Sequence, residues 1–200
     1  DALVTDGGLF DNGGNALARH ARNAGGQLAV SGGCGEVFRN FFYLPDRRLR
    51  ARDVALAFFA RYVRADTTAS FRPRPFLDAI QVKLAHAVGH DPRDTLARTE
   101  VEQLYPRERC RAFFGREISL VGRHGGYLMP FLYRAVVDEA LRVPLALKRA
   151  GRFEAMLLNH VDPALARHMS AYGHDFAGPP NAAHERDEWQ TVLRPPRVRQ

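Results

Sequence analysis

The residues best suited to chemistry in this chain are six in a row, Ser31-Gly32-Gly33-Cys34-Gly35-Glu36. A short apolar run, Gln27 to Val30, leads into them and Val37-Phe38 follows. An apolar run that stops abruptly on glycines reads as a buried parallel strand delivering a loop to the carboxyl edge of a sheet. Glycines at such an edge let backbone approach a ligand closely, and a helix opening just after them offers amides to an anion. The pattern is not a Walker loop, because no Gly-Lys-Ser/Thr follows, and it is not a dinucleotide fingerprint. Ser31 does not sit in a nucleophile elbow either, since Gly32 adjoins it and Ala29 stands two residues before it. Glu36 places a carboxylate at the mouth of the turn, where it can hold magnesium or orient an incoming amine.

Other candidates read as structure. His86 and His90 have metal-ligand spacing, but Gly89 ends the helix between them and no Glu accompanies His86. His160 and His168 are separated by the helix-interrupting Pro163, so solvated or capping roles are expected for them and for His174. Phe41, Phe42 and Tyr43 are expected in the core rather than stacked on a base. Tyr172 to Phe176 reads as a docked aromatic loop. Cys34 and Cys110 have no companion at metal or redox spacing; a lone disulfide between them is the alternative, and two reduced thiols in a cytoplasmic protein are expected.

Around these residues, 200 positions with 46% apolar and 26% charged side chains are enough for one sizeable core, or a core with a satellite. Disorder and low complexity are excluded by that balance. No apolar run approaches the roughly 20 residues a membrane span needs, and no signal peptide is evident. Beginning at Asp1, the chain reads as a fragment. The net charge of +7 is carried by arginines mixed with acids, with Lys83 and Lys148 the only lysines. The densest cluster is Arg47, Arg48, Arg50 and Arg52, joined near the end by Arg194, Arg197 and Arg199. Such charge steers anions in general, and with no zinc-finger, basic-zipper or aromatic RNA signature a nucleic-acid partner is not expected.

Coarse periodicity predicts a loop over Asp11–Gly14, a helix Ala16 to Ala24 capped by Asn15 and ended by Gly25-Gly26, then the strand, the glycine turn and a helix. Further helices are expected over Val54–Val63, Leu77–Val88, a short segment to Leu104, Arg107–Val121, Pro130–Val143, Arg152–Asn159 and Asp162–His168. Phe71 to Pro75 is expected to break the helix before it, and Gly122 to Gly126 to be a loop. The fold class is therefore α/β, mostly helical, with one clear parallel strand whose sheet partners are expected outside this chain. Residues 178–200, from Gly178-Pro179-Pro180 to Arg194-Pro195-Pro196 and beyond, read as a Pro-rich polar tail after a domain of residues 1–177.

The segment Ala29-Val30-Ser31-Gly32-Gly33-Cys34-Gly35-Glu36-Val37-Phe38 resembles the asparagine synthetase motif in which an apolar strand enters Ser-Gly-Glu-Gly-Ala-Asp-Glu-Leu-Phe. Upstream, Thr5-Asp6 and the helix ending at Gly26 match the family in outline. Downstream, Arg109 to Ile118, then Met129-Pro130-Phe131-Leu132-Tyr133, Ala140-Leu141, Pro144 and Lys148, resemble its second conserved block in order and spacing. Gly35 stands where the family has Asp, and Tyr133 where the Pro-Phe-Leu-Asp block ends. The resemblance implies the back half of an adenine-nucleotide alpha-hydrolase-like, ATP-pyrophosphatase domain. Such domains use ATP and Mg2+ to adenylate a carboxylate, aspartate or an analogue, and pass the acyl group to ammonia, often from an upstream glutaminase domain. In that setting Ser31, Gly32, Gly33, Cys34 and Gly35 would face the nucleotide, with Arg123 a further phosphate contact. Glu36 would be the magnesium- or amine-facing carboxylate, and Lys148 a second catalytic group. The alternative is an inactive relative that keeps the scaffold for protein contacts.

Overall fold

A computed structural model describes residue 21 and residues 24–60, 67–123 and 125–196. The segments holding Thr5-Asp6, Asp11–Gly14 and the Asn15 cap, and most of the helix expected over Ala16–Ala24, lie outside the described residues. In chain order the elements are β1 (Ala29–Val30), a 3-10 turn Gly35–Phe38, β2 (Leu49–Arg50), α1 (Ala51–Val54) and a π-helical stretch Ala55–Phe59. Then come α2 (Pro73–Ala87), β3 (Thr95–Leu96), α3 (Arg98–Leu104), a π-helical stretch Tyr105–Phe114 and α4 (Gly115–Val121). The chain continues through β4 (Tyr127–Leu128), a 3-10 turn Pro130–Leu132, α5 (Arg134–Arg142), α6 (Arg152–Val161), α7 (Pro163–Ala166) and α8 (Ala182–Leu193). The described residues are mixed α/β, mostly helical, with two small two-stranded sheets among them. No described helix is long and apolar enough to cross a membrane.

The chain divides into two compact units, one of residues 1–35 and 105–140, the other of residues 36–104 and 141–200. The first is built on the parallel pairing of β1 with β4, Ala29 opposite Tyr127 and Val30 opposite Leu128. The strand expected from Gln27 to Val30 is there, but its partner lies within this chain, which corrects the expectation of partners only elsewhere. Tyr127-Leu128 follows Gly125-Gly126 and is two residues long, too short for period-two alternation to register. The second unit holds the antiparallel pair β2–β3, with Leu49 opposite Leu96 and both side chains buried. Each such leucine contributes about 1.5–3 kcal/mol by leaving water. Around that pair lie Phe42, Leu44, Val54, Leu84, Val101 and Leu104, all buried.

Several boundaries differ from expectation for local reasons. The helix expected from Leu77 opens earlier, at Pro73, because a proline in the first helical turn removes only an N–H that has no helical acceptor. The helix expected over Pro130–Val143 splits at Tyr133, whose extended backbone separates a 3-10 turn from α5. The helix expected after the glycine turn is a single 3-10 turn. Asp162 caps α7 as read, its carboxylate accepting from Ala164 N at 2.9 Å. The largest correction concerns the expected tail. Residues 182–193 form α8, capped by Asn181, whose side-chain oxygen accepts from Ala183 and His184 N at 3.0 Å each. Glu188 and Val192 of α8 are buried.

Candidate functional site

The glycine turn belongs to the first unit. β1 is tied to β4 by Ala29 N donating to Gly126 O (3.0 Å) and Ser31 N donating to Leu128 O (2.9 Å). Because the strands are parallel, both chains turn at the same carboxyl edge. Ser31 to Gly35 follows one strand there, and Met129-Pro130-Phe131 follows the other. The two segments are packed side chain to backbone. A Cβ on Gly33 would lie 2.9 Å from Met129 Sδ and from two atoms of the Phe114 ring, and one on Gly35 would lie 3.4 Å from the Phe131 ring. Packing therefore favours glycine at position 33, while a Cβ at position 35 would meet the Phe131 ring only at an ordinary van der Waals distance. Gly33→Val is expected to destabilise the protein by about 1–3 kcal/mol through overpacking, read as a lowered denaturation midpoint. Gly32 differs, since nothing lies within 4 Å of where its Cβ would be and the residue is exposed.

Within the turn the amides are partly committed. Gly33 N donates to Ser31 Oγ (3.1 Å) and Gly35 N donates to Gly32 O (3.1 Å). Cys34 sits at φ +71°, a left-handed conformation uncommon outside glycine, and is fully buried. Its sulfur is joined to Cys110 in a disulfide with Cα atoms 5.9 Å apart. The expected pair of reduced thiols is thus replaced by the alternative reading, a disulfide between the two. The bond removes Cys34's side chain from any ligand contact. With 76 positions between them, the two cysteines carry no spacing signal that favours the bond over free thiols. Arg123 is exposed in the turn after α4, and no hydrogen bond or ion pair joins it to the glycine turn among the described residues.

The second unit holds the other two expected residues. Glu36 is half-buried and its charge acts on Arg39 and Tyr172. Lys148 is 1% exposed. Its ammonium donates to Val37 O (2.9 Å) and pairs with Glu102 Oε2 (3.0 Å). A lysine so placed anchors the backbone directly after Glu36, and its ammonium is committed to interior partners. Its network continues through residues that sequence reasoning missed. Glu102 also pairs with Arg98, Arg98 Nη2 donates to Asn40 Oδ1 (2.7 Å), and Asn40 Nδ2 donates to Glu188 Oε1 (3.1 Å). Glu188 Oε2 in turn accepts from Ala150 N (2.5 Å). Two cations and two carboxylates therefore balance in the interior, as burial of charge requires. The only hint in sequence was the helical i, i+4 spacing of Arg98 and Glu102.

The remaining candidates fall mostly as read. Phe42 is buried against Phe41, Phe58 and Phe59, with ring centroids 5.2–6.3 Å away. His90 contacts Glu100 (2.8 Å) and Asp94 (3.4 Å), and the hydrogen bond to Glu100 raises its pKa above the usual histidine value. Arg48 of the basic cluster bonds to Thr95, and Arg52 pairs with Asp78 (2.7 Å), so that cluster is partly spent on tying β2 and α1 to their neighbours. Among the described residues no group of three His, Cys, Asp or Glu side chains could hold a metal ion. Comparison with protein-family models, with curated proteins and with solved structures finds no match to this chain.

Proposed function

We propose that this chain is part of an asparagine-synthetase-like, ATP-dependent amide-forming domain of the adenine-nucleotide alpha-hydrolase type. One observation carries the reading: the parallel pairing of β1 with β4. It pairs Ala29–Val30, which lead into the glycine turn, with Tyr127–Leu128, which lead into Met129 to Tyr133. The carboxyl edge is where open α/β sheets bind ligands. In this reading Ser31, Gly32, Gly33 and Gly35 offer backbone to the nucleotide phosphates, and Gly32 is the position left open for close approach.

The chemistry is carboxylate activation. A carboxylate oxygen of aspartate or an analogue attacks the α-phosphorus of ATP and pyrophosphate leaves. Ammonia, from solution or a glutaminase domain, then attacks the acyl carbon and AMP leaves. Magnesium would neutralise the phosphates, and Glu36 is the carboxylate suited to hold it. A magnesium site of one carboxylate plus substrate phosphates is an ordinary arrangement. Arg123, exposed and cationic, remains the outlying phosphate contact. The cytoplasmic reading belongs to this proposal and requires that the buried disulfide persist there.

A second reading, an inactive relative acting as a scaffold, is favoured by specific features. Gly35 replaces the family's Asp, the Gly33 and Gly35 amides are bonded within the turn, and Lys148 is spent on the interior. Calorimetric titration of ATP with magnesium into the full-length protein separates the two. The enzyme reading expects saturable binding that needs magnesium and falls at least about tenfold, or 1.4 kcal/mol, in Gly32→Val. That variant should fold, because its side chain meets only open space. Absence of binding by the folded wild type would leave the scaffold reading.

A further inference from the structure

The loop from Tyr172 to Phe176 docks on the first turn of α8, and two histidines make the joint. His174 Nδ1 bonds to Asp175 O (2.7 Å), and His174 Nε2 bonds to His184 Nδ1 (3.0 Å). The Tyr172 ring stacks on His184 with centroids 4.3 Å apart, and on His174 at 6.0 Å. The Phe176 ring meets the His174 ring nearly edge-on at 5.2 Å. Gly151, at φ +70°, brings its backbone against the same rings. A Cβ there would lie 2.6 Å from Phe176 Cε1 and 3.6 Å from His184 Cε1.

The hydrogen bonds fix the proton count. A carbonyl oxygen only accepts, so His174 Nδ1 carries a proton. In the neutral ring Nε2 is then an acceptor, and His184 Nδ1 must be the donor. A proton added to His184 Nε2 leaves this bond intact. A further proton on His174 Nε2 sets N–H against N–H and two positive rings about one hydrogen bond apart, which removes the bond and adds repulsion. We propose that the His174–His184 pair is an acid-released clasp, holding the first turn of α8 to the Tyr172–Phe176 loop while neutral and letting go when both rings are charged.

The surroundings set the direction of the titration. Burial is the largest influence on His184, and the charge of His174 acts with it; both hold its pKa below the usual value of 6.5. Arg39 pushes the same way, while Glu188 and Glu154 oppose. His184 is also the third residue of α8, where the positive end of the helix dipole disfavours a cation. Tyr172 does not take part, because burial together with the charges of Glu154, Tyr43 and Glu36 outweighs Arg39 and pushes it up to about 12. A base whose folded pKa is depressed binds fewer protons folded than unfolded, so its contribution is present above the ordinary value and lost as pH falls. Release is therefore expected on mild acidification, around pH 5–6.

Trp189 is the chain's one tryptophan, and it lies on α8 with the Arg149 guanidinium 4.5 Å from its ring. Its emission, and hydrogen exchange of the α8 amides, should be followed in the full chain from pH 8 to pH 5. The clasp predicts a reversible change in both below about pH 6, with α8 protection falling about tenfold for each unit by which the His184 pKa is depressed. His184→Gln keeps a neutral donor and should show no such transition. Should that variant not fold, histidine titrations by NMR on the wild type carry the test, with two separated steps expected. Flat emission and protection across this range, an unchanged transition in His184→Gln, or two independent titrations near 6.5 would overturn the proposal.

Discussion

Lys148→Met is expected to lower the stability of the protein by about 3–5 kcal/mol, the cost of breaking a buried ion pair by removing one partner. The size follows from the surroundings. Lys148 is 1% exposed, and its loss leaves Glu102 Oε2 and the Val37 carbonyl without their 3.0 and 2.9 Å donor. For a chain of this length the loss corresponds to a fall in Tm of very roughly 10 °C. Two further substitutions make the expectation specific. Glu102→Leu in the Lys148→Met background should recover part of the loss, because a stranded carboxylate costs more than none. Arg152→Ala, whose pair with Glu185 is partly exposed, should cost about 1 kcal/mol or less. Equilibrium denaturation of the four proteins measures all of this. Equal small effects from Lys148→Met and Arg152→Ala would mean that the network contributes little.

The second large effect is expected from the disulfide. Oxidised protein should contain no free thiol, since its two cysteines are joined. Cys34 and Cys110 are 0% and 2% exposed, so native protein should resist reductant until it opens. Replacing both by alanine, or reducing the unfolded chain, is expected to cost about 2–5 kcal/mol. The chain-entropy view puts the upper part of that range on a closure spanning 76 positions. Alkylation with mass spectrometry counts the thiols, and urea denaturation with and without reductant gives the energy. Two alkylated cysteines in non-reduced native protein, with no change in midpoint on reduction, would contradict the link.

These two interactions also show where sequence stopped being informative. The glycine turn was legible because its signal is local: an apolar run, then residues with little or no side chain, then an acid. The cap at Asp162 and the chain reversal at Gly89, which sits at φ +80°, were legible for the same reason. β4 and β3 were not, because two residues carry no periodicity and are defined by partners far away in the chain. The interior charges were misjudged for a related reason. Lys148, Glu102, Arg98 and Glu188 look like ordinary solvated residues one at a time, and only folding brings together partners from four separate segments. α8 was taken for a tail because flanking prolines and charges dominate its composition. The Glu188 carboxylate that reads as polar surface is what fixes the helix in place. The motifs did not show that the Cys34 and Lys148 side chains are committed to internal partners, because those partners come from distant segments of the chain.

The central claim is that the edge formed by β1 and β4 serves carboxylate activation by ATP. ATP–pyrophosphate exchange by the full-length protein, surveyed across aspartate and related carboxylates, tests it most directly. The account predicts exchange that requires both magnesium and a carboxylate, is abolished in Gly32→Val, and falls at least about tenfold, or 1.4 kcal/mol of barrier, in Glu36→Gln. Folded wild-type protein that gives no exchange with any carboxylate, or exchange that is indifferent to both substitutions, would contradict it.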